Sequence, residues 1–404
     1  MFKAIDIARF AIGTAAKAVA KVPVLDNRFR IGDRLSGPWP EGPFLWLHGA
    51  SLGECKMLLN LAKFIQEDIP GCPKILITSQ KVEVVEFIKK SLTQDAVSSI
   101  EVAIAPADTP SAMSAFAKSV KPIALILGEN ELWPGYLSTM RRLCLKPSVA
   151  IVSGRYRVSV PGIDFSPVAF ASMQTGDDLS RFMNVASKFN IASTAIGGDW
   201  KLLPWARKGD PITPAENPTV DVAFVSMHMS EWTSLERMVE SSIKRQESVV
   251  LVPRRLEEAD AFRKALIEEE YTVVDWPLVQ KGAISIVSKF GLTGDVFAVS
   301  KSAVVGGSFA RGLGVHNFWE PLQAGVATSI GPFTNGQKEN AAALVREGVI
   351  AQLHTTADYP RRMLPDVKLV STFLAHERNK IQDSYRQLLG FLRGLPEFQN
   401  GNAK

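Results

Sequence analysis

The stretch PFLWLHGASLGECKMLLNLAKFIQEDIPGCPKILITS (43–79) decides the fold. PFLWLHGA (43–50) is a short apolar run that reads as a buried strand, GECKMLLNLAKFIQED (53–68) has helical spacing, and KILITS (74–79) reads as a second strand. Strand, helix and strand in that order describe a βαβ unit on a parallel sheet. The same text continues outward. KVEVVEFIKKS (81–91) reads as a helix, and EVAIAP (101–106), IALILGEN (123–130), SVAIVSG (148–154) and VAFASMQT (168–175) read as further strands. GDWKLLPWARKGDPITPAENPT (198–219), with four prolines among polar spacers, interrupts the alternation and reads as a linker. The alternation then restarts with strand DVAFVSMHM (221–229), helix EWTSLERMVESSIKR (231–245), strand SVVLVPRR (248–255), helix LEEADAFRKALIEEE (256–270) and strand YTVVDW (271–276). It runs on to SAVVGG (302–307), and a helical run from about 366 to 395 can fold back on the first half. The expected organisation is an N-terminal helix over 1–30, an α/β domain over 31–200, a linker over 201–219, a second α/β domain over 220–370 and C-terminal helices over 371–404.

A chain of 404 residues exceeds the usual size of one core, so two domains are expected. Hydrophobic residues at 46% and charged residues at 22% place it among ordinary globular proteins. The net charge of +5 suits anionic substrates or an anionic membrane surface, and it is too weak and dispersed to argue for nucleic acid. Cys55, Cys72 and Cys144 are odd in number and scattered, which favours a reducing compartment over a disulfide framework. No run approaches the roughly 20 apolar residues that cross a bilayer. FKAIDIARFAIGTAAKAVAKV (2–22) instead reads as an amphipathic helix, with Ile5, Ala8, Ile12, Ala15 and Val19 on one stripe and lysines and arginine elsewhere. Such a helix either lies on a membrane surface or docks on its own domain. It lacks the compact apolar core and cleavage site of a signal peptide.

Chemistry-bearing residues gather where strands end, which is where ligands bind in doubly wound sheets. In WLHGASLGE (46–54), Ser51 and Glu54 have capping-box spacing, and a carboxylate at a cleft edge can equally accept a proton. His48, on the same strand, faces either the core or the cleft. In GENELWPG (128–135), Glu129 and Glu131 are two apart and point the same way if the strand continues, or one of them caps the helix that starts at Pro134. SGRYR (153–157) and GGDWK (197–201) offer Arg155, Arg157 and Lys201 to phosphates or carboxylates, or to solvent. In SMHMSEW (226–232), the hydroxyls of Ser226 and Ser230 and the amides of a helix start can hold an anion, with Ser230 as the helix cap. VPRRLEEAD (252–260) presents Arg254. In GGSFARGLGVHNFWEP (306–321), a glycine pair lets backbone approach a ligand, Asn317 reads as an N-cap, and Glu320 suits either a capping box or a ribose diol. The five histidines are far apart, and no metal cluster is evident.

Read together, these segments resemble the signatures of the 3-deoxy-D-manno-octulosonic acid (Kdo) transferases, in the family's order: WLHGASLGE resembles WIHAVSVGE, GENELWPG resembles ETELWPN, SMHMSEW resembles STHxGEE, VPRRLEEAD resembles APRHPERF, and GGSF…HNFWEP…GVATSIGPFT resembles GGSL…GHNPLEP…GKPVLFGP. The family's asparagine after Trp-Pro is Gly135 here, its histidine after the arginine is Arg255, and GPFTNGQKEN does not reproduce GPHTFNF, with Asn335 standing near that asparagine in a shifted register. The resemblance implies the GT-B architecture, α/β with two Rossmann-like domains facing each other across a cleft. It implies a metal-independent, inverting glycosyltransferase without cofactor that moves Kdo from CMP-Kdo to a lipid A precursor in lipopolysaccharide biosynthesis. The partners implied are CMP-Kdo, the lipid A precursor and the cytoplasmic face of the bacterial inner membrane, where the protein would be peripheral or anchored through its N-terminus. Carried over, Glu54 is the catalytic base; Ser51, Glu129 and Glu131 serve the acceptor or support Glu54. Ser226, His228, Ser230, Arg254, Gly306, Gly307, Ser308, His316, Asn317 and Glu320 bind the CMP donor. The alternatives are a GT-B enzyme for another nucleotide sugar, transferase or epimerase, and a non-catalytic membrane-associated binding protein in which Glu54 only caps its helix.

Overall fold

The computed structural model describes residues 30–94, 99–156, 162–208, 214–289, 291–359 and 366–399. The amphipathic segment expected over 1–30 lies outside the described residues except for Arg30, and Arg157 lies outside them as well. The chain divides into two compact units. The first takes the described residues up to Lys208 together with those from Glu377 onward, and the second takes those from Pro214 to His376.

In the first unit, seven strands, β1 (Phe44–His48), β2 (Ile75–Ser79), β3 (Ile100–Ile104), β4 (Pro122–Gly128), β5 (Val149–Gly154), β6 (Val168–Met173) and β7 (Ser193–Ile196), lie in the order β3-β2-β1-β4-β5-β6-β7. Every pairing among them is parallel. The run FLWLH is buried at all five positions, as a strand covered on both faces must be. Ser51 starts the helix Leu52–Asp68 by accepting a hydrogen bond from the Glu54 amide, and Cys55, Leu58, Ala62 and Ile65 turn one stripe of that helix inward. Thr109 and Thr175 cap the helices Pro110–Val120 and Gly176–Ala186 in the same way. At the centre of one face Trp46 is fully buried, with its ring 4.6 Å from Phe116 and 4.8 Å from Tyr136.

The second unit repeats the plan. β8 (Val220–Met227), β9 (Val249–Pro253), β10 (Val273–Asp275), β11 (Ile284–Ile286), β12 (Ser300–Val305), β13 (Ala327–Ile330) and β14 (Ala351–Gln352) form the order β10-β11-β9-β8-β12-β13-β14, again all parallel. In both sheets the chain starts at the centre, winds to one edge, returns to the centre and winds to the other. That reversal leaves a switch point between β1 and β4 and another between β8 and β12, where the following loops diverge and open a crevice. Two such Rossmann-like units in one chain make the GT-B fold.

The stretch 201–219 departs from the expected linker. It opens on the end of a 3-10 turn, Trp200–Leu202, and on a helix, Leu203–Lys208, in which Leu202, Leu203 and Ala206 are buried. The prolines concealed that helix: Pro204 is its second residue, where the missing amide has no partner to lose. The C-terminal helix runs from Val367 to Arg393, within the helical run expected from about 366 to 395. Its second half is tied into the first unit. Gln382 Nε2 donates to Ala206 O at 2.7 Å, Ser384 Oγ donates to Ser172 Oγ at 2.6 Å, and Tyr385 Oη donates to Asp68 Oδ2 at 2.7 Å. Gly197 permits that approach, because a Cβ there would fall 2.0 Å from Ser172 Oγ and 2.5 Å from Ser384 Oγ.

Candidate functional site

The residues singled out above gather at the two switch points, one set in each unit. In the first, Glu54 stands in the first turn of the helix that follows β1. Ser51 Oγ donates to its Oε1 at 2.8 Å and the Ala50 amide donates to its Oε2 at 2.9 Å, so the carboxylate reaches the amide before the cap residue rather than that of the cap. The side chain is buried, and burial holds its carboxyl above the ordinary carboxylate range. The charges of Glu129 and Glu131 push the same way, while the bonds from Ala50 and Ser51 oppose them.

Glu129 and Glu131 do not point the same way. β4 ends at Gly128, and Glu129 takes a left-handed conformation, φ +47°, that breaks the strand's alternation. Glu129 Oε1 accepts from Lys201 Nζ at 2.5 Å, and its Oε2 lies 3.6 Å from an Arg155 guanidinium nitrogen. Arg155 and Lys201, offered by the sequence to substrate anions, therefore meet a protein carboxylate. Glu131 Oε2 accepts from Trp133 Nε1 at 2.7 Å and lies 3.3 Å from His48 Nε2. Burial raises Glu131, but His48 and Trp133 outweigh it and hold the carboxyl below its usual range. Neither carboxylate caps the helix Pro134–Leu143, whose N-cap, Trp133, makes no side-chain cap bond. His48 is fully buried yet aimed at the site. Among the described residues, then, Glu54, Ser51, Glu129 and Glu131 come together with His48, Arg155 and Lys201.

The second switch point is built from backbone. β8 carries a register shift between Val225 and Met227, where Ser226 sits at φ +55°. β12 runs into Gly306, and a Cβ there would lie 2.4 Å from Ser226 O; at Gly307, φ +73°, it would lie 2.3 Å from Gly314 O. Only glycine allows these strands and loops to approach so closely. His228 Nε2 and His316 Nε2 are 2.7 Å apart, so one donates and the other accepts. Burial, the Arg254 charge and His228 together press His316 down to about 4.

Glu231, absent from the sequence-derived set, holds this centre together. Its carboxylate is buried and accepts from three amides: His228 N at 3.0 Å and Gly307 N at 2.9 Å on Oε2, and Phe309 N at 2.9 Å on Oε1. It thereby displaces Ser230 as the capping side chain. Ser230 is exposed in the 3-10 turn Met229–Glu231, and the helix Trp232–Lys244 begins after it. Its position three residues after His228, at the first glutamate of the STHxGEE-like segment, was the signal that pointed to Glu231.

Three further expectations shift. The Ser308 side chain does not face a ligand: its hydroxyl is fully buried, donating to Val305 O at 2.6 Å and accepting from Gly331 N at 2.8 Å. Asn317 precedes the N-cap, Phe318, of the helix Trp319–Gln323; its Oδ1 accepts from Trp319 N at 3.0 Å and its Nδ2 donates to Glu320 Oε1 at 2.8 Å. Asn317 and Glu320 thus form an exposed pair rather than a capping box. Asn335 serves the loop, donating from Nδ2 to Leu313 O at 2.8 Å.

Among the described residues no helix is long and apolar enough to cross a membrane. The sequence pattern of the family described as 3-deoxy-D-manno-octulosonic-acid transferase (kdotransferase) matches residues 24–160. The chain is 25% identical to the 3-deoxy-D-manno-octulosonic acid transferase of Aquifex aeolicus (strain VF5) over 88% of its own length and 94% of that protein's, and 26% identical to that of Chlamydia pneumoniae over 76% and 74%. Acinetobacter baumannii MurG superposes with a TM-score of 0.50 at 11% identity, over 88% of this chain and 99% of that one, which is a likeness of fold. The motifs stand in the family's order, the family pattern spans the first switch point and the relatives align along most of the chain, so the protein is similar in sequence to the Kdo transferases.

Proposed function

We propose that the protein transfers Kdo from CMP-Kdo to a hydroxyl of a lipid A precursor, with inversion at the anomeric carbon and without a metal ion. The observation that carries this reading is Glu54. Its carboxylate is oriented from two sides and held above the ordinary carboxylate range by burial and two neighbouring glutamates, which suits a base that accepts the acceptor's proton. As the O–C bond forms at the anomeric carbon, the bond to the CMP phosphate breaks and the proton passes to Glu54. Ser51, Glu129 and Glu131 position the acceptor and Glu54. On the second unit, Arg254, the loops around Ser226–Ser230 and Gly306–Ser308 that Glu231 ties together, and His228 and His316 receive the leaving CMP, and Asn317 and Glu320 orient its ribose. A membrane-borne acceptor calls for work at the cytoplasmic face of the inner membrane, with the N-terminal segment in contact.

The test is a transfer assay with CMP-Kdo generated in place and a tetra-acylated lipid A precursor, run with and without chelator. The expected outcome is product at the same rate in both. Turnover with a UDP-sugar and none with CMP-Kdo would replace the donor, and loss of product on chelation alone would remove metal independence.

A further inference from the structure

Lys201 is left without a task by the reaction as described, although its position is closely fixed. It stands in the 3-10 turn Trp200–Leu202, whose N-cap Asp199 is buried and accepts from the Lys201 amide at 3.0 Å through Oδ1. The buried Ser153 hydroxyl completes the turn. It accepts from Gln174 Nε2 at 3.0 Å and from the Trp200 amide at 3.1 Å, and it donates to Asp199 Oδ1 at 3.4 Å. From this base the Lys201 side chain passes the start of the helix Leu52–Asp68. A Cβ at Gly53 would lie 3.4 Å from its Cε and 3.8 Å from its Nζ, so the ammonium runs beside the residue that precedes Glu54. It ends on Glu129 Oε1 at 2.5 Å. Partial burial works against the ammonium, but the charges of Asp199 and Glu129 outweigh it and hold Lys201 above the ordinary lysine range.

We propose that Lys201 is a positioning residue: its ammonium balances Glu129 beside the first turn of the helix Leu52–Asp68, so that Glu54 keeps a free carboxylate for the acceptor's proton. This rests on the transferase reading above and deepens it. Glu129 and Glu131 both act on Glu54, and like charges drive a carboxyl to hold its own proton. A base that already holds a proton accepts none. Glu129 draws two cations, Lys201 at 2.5 Å and Arg155 at 3.6 Å, and Lys201 is the one that passes the helix carrying Glu54. The charged and titratable groups around this pair come from every neighbouring element. They are Asp199 on the turn, Glu131 beyond β4, Arg155 beyond β5, Glu54 and Cys55 on the helix after β1, His48 at the end of β1, and Glu377 of the C-terminal helix behind Gly198.

The test uses the full chain. Lys201→Met removes the charge, Lys201→Arg keeps it, and Lys201→Met with Glu129→Gln removes both partners. In Lys201→Met the unbalanced Glu129 holds the Glu54 proton to higher pH. The acid limb of kcat/KM should therefore move up by about 1 pH unit, a loss of about tenfold on that limb, with KM for CMP-Kdo unchanged. Lys201→Arg should leave the limb in place, and the double variant should return it. A merely structural role would not move the limb and then restore it. An unmoved limb in folded Lys201→Met, or a limb that stays displaced in the double variant, would overturn the proposal. If Lys201→Met does not fold, Lys201→Gln, which keeps an N–H for Glu129 and drops the charge, is read in its place with the same outcomes. The Glu54 ¹³C carboxyl resonance, assigned by its absence in Glu54→Gln, is also titrated in each variant without substrate. A wild type that transfers no Kdo sinks the transferase reading whatever that midpoint, whereas an unchanged midpoint beside an active wild type sinks only the role of Lys201.

Discussion

The two switch points share a topology and differ in material. In the first, charged side chains meet one another: three glutamates, a lysine and an arginine, with a histidine beneath. In the second, backbone meets backbone: two glycines admit close approach, and one buried glutamate collects three amides. The difference corresponds to the two proposed tasks. Moving a proton needs side chains whose ionisation is tuned by neighbours, and holding a nucleotide needs donors presented at short range by rigid loops.

Breaking the first switch point should have the largest effect. Glu54→Gln retains shape and the bond from Ala50 but cannot accept a proton, so kcat should fall by about 10²–10⁴, while CMP binding measured by calorimetry is unchanged. Retained turnover in the folded variant would return Glu54 to a capping role. Glu231→Gln probes the second. One amide oxygen and an NH2 cannot satisfy three backbone donors, so stability in denaturant should fall by about 1–3 kcal/mol, and CMP binding should weaken with it. A variant as stable as the parent, binding CMP equally well, would mean that the loops are held by something else.

The smallest effect is on pH, and its sign differs between the two regions. His316 is held at about 4, below the ordinary histidine value of 6.5. Between these values the unfolded chain takes a proton that the folded one refuses, so stability falls as pH drops through that window. His316→Asn should flatten the slope of melting temperature against pH there. Glu54 works in the opposite direction, because its raised carboxyl binds its proton more readily when folded and favours the fold as pH falls. An unchanged slope in His316→Asn would show that the His228–His316 contact does not set the acid sensitivity of the second unit.

Much of this was legible in the sequence because the patterns that specify it are local. Apolar runs of strand length alternating with helical spacing yield two parallel sheets, and the chemistry-bearing residues fell at strand ends. What escaped depends on distant parts of the chain. Lys201 and Arg155 turn toward Glu129 because three strand-end loops converge, which spacing along the chain does not encode. Glu231 accepts from amides at 307 and 309, across the sheet. The left-handed backbone of Glu129, Ser153 and Ser226 carries no residue signature, since none is glycine or asparagine; tertiary contacts sustain conformations that cost about 1–3 kcal/mol each. The helix Leu203–Lys208 was hidden by a proline that its first turn accommodates.

The return of the C-terminal helix sets an order for synthesis. Residues Gln382–Arg393 bind to β6 and to the helices Leu52–Asp68 and Leu203–Lys208, so the first unit is not closed until they have emerged from the ribosome. The whole of the second unit emerges before them, as an uninterrupted stretch, and domains fold as units during synthesis. The half of the chain that starts first therefore finishes last. Until then the site of the last helix, including Ser172, Asp68 and the groove at Gly197, is open to solvent and to chaperones, and a chain arrested when residue 376 has just left the ribosome would carry a complete second unit and an unfinished first.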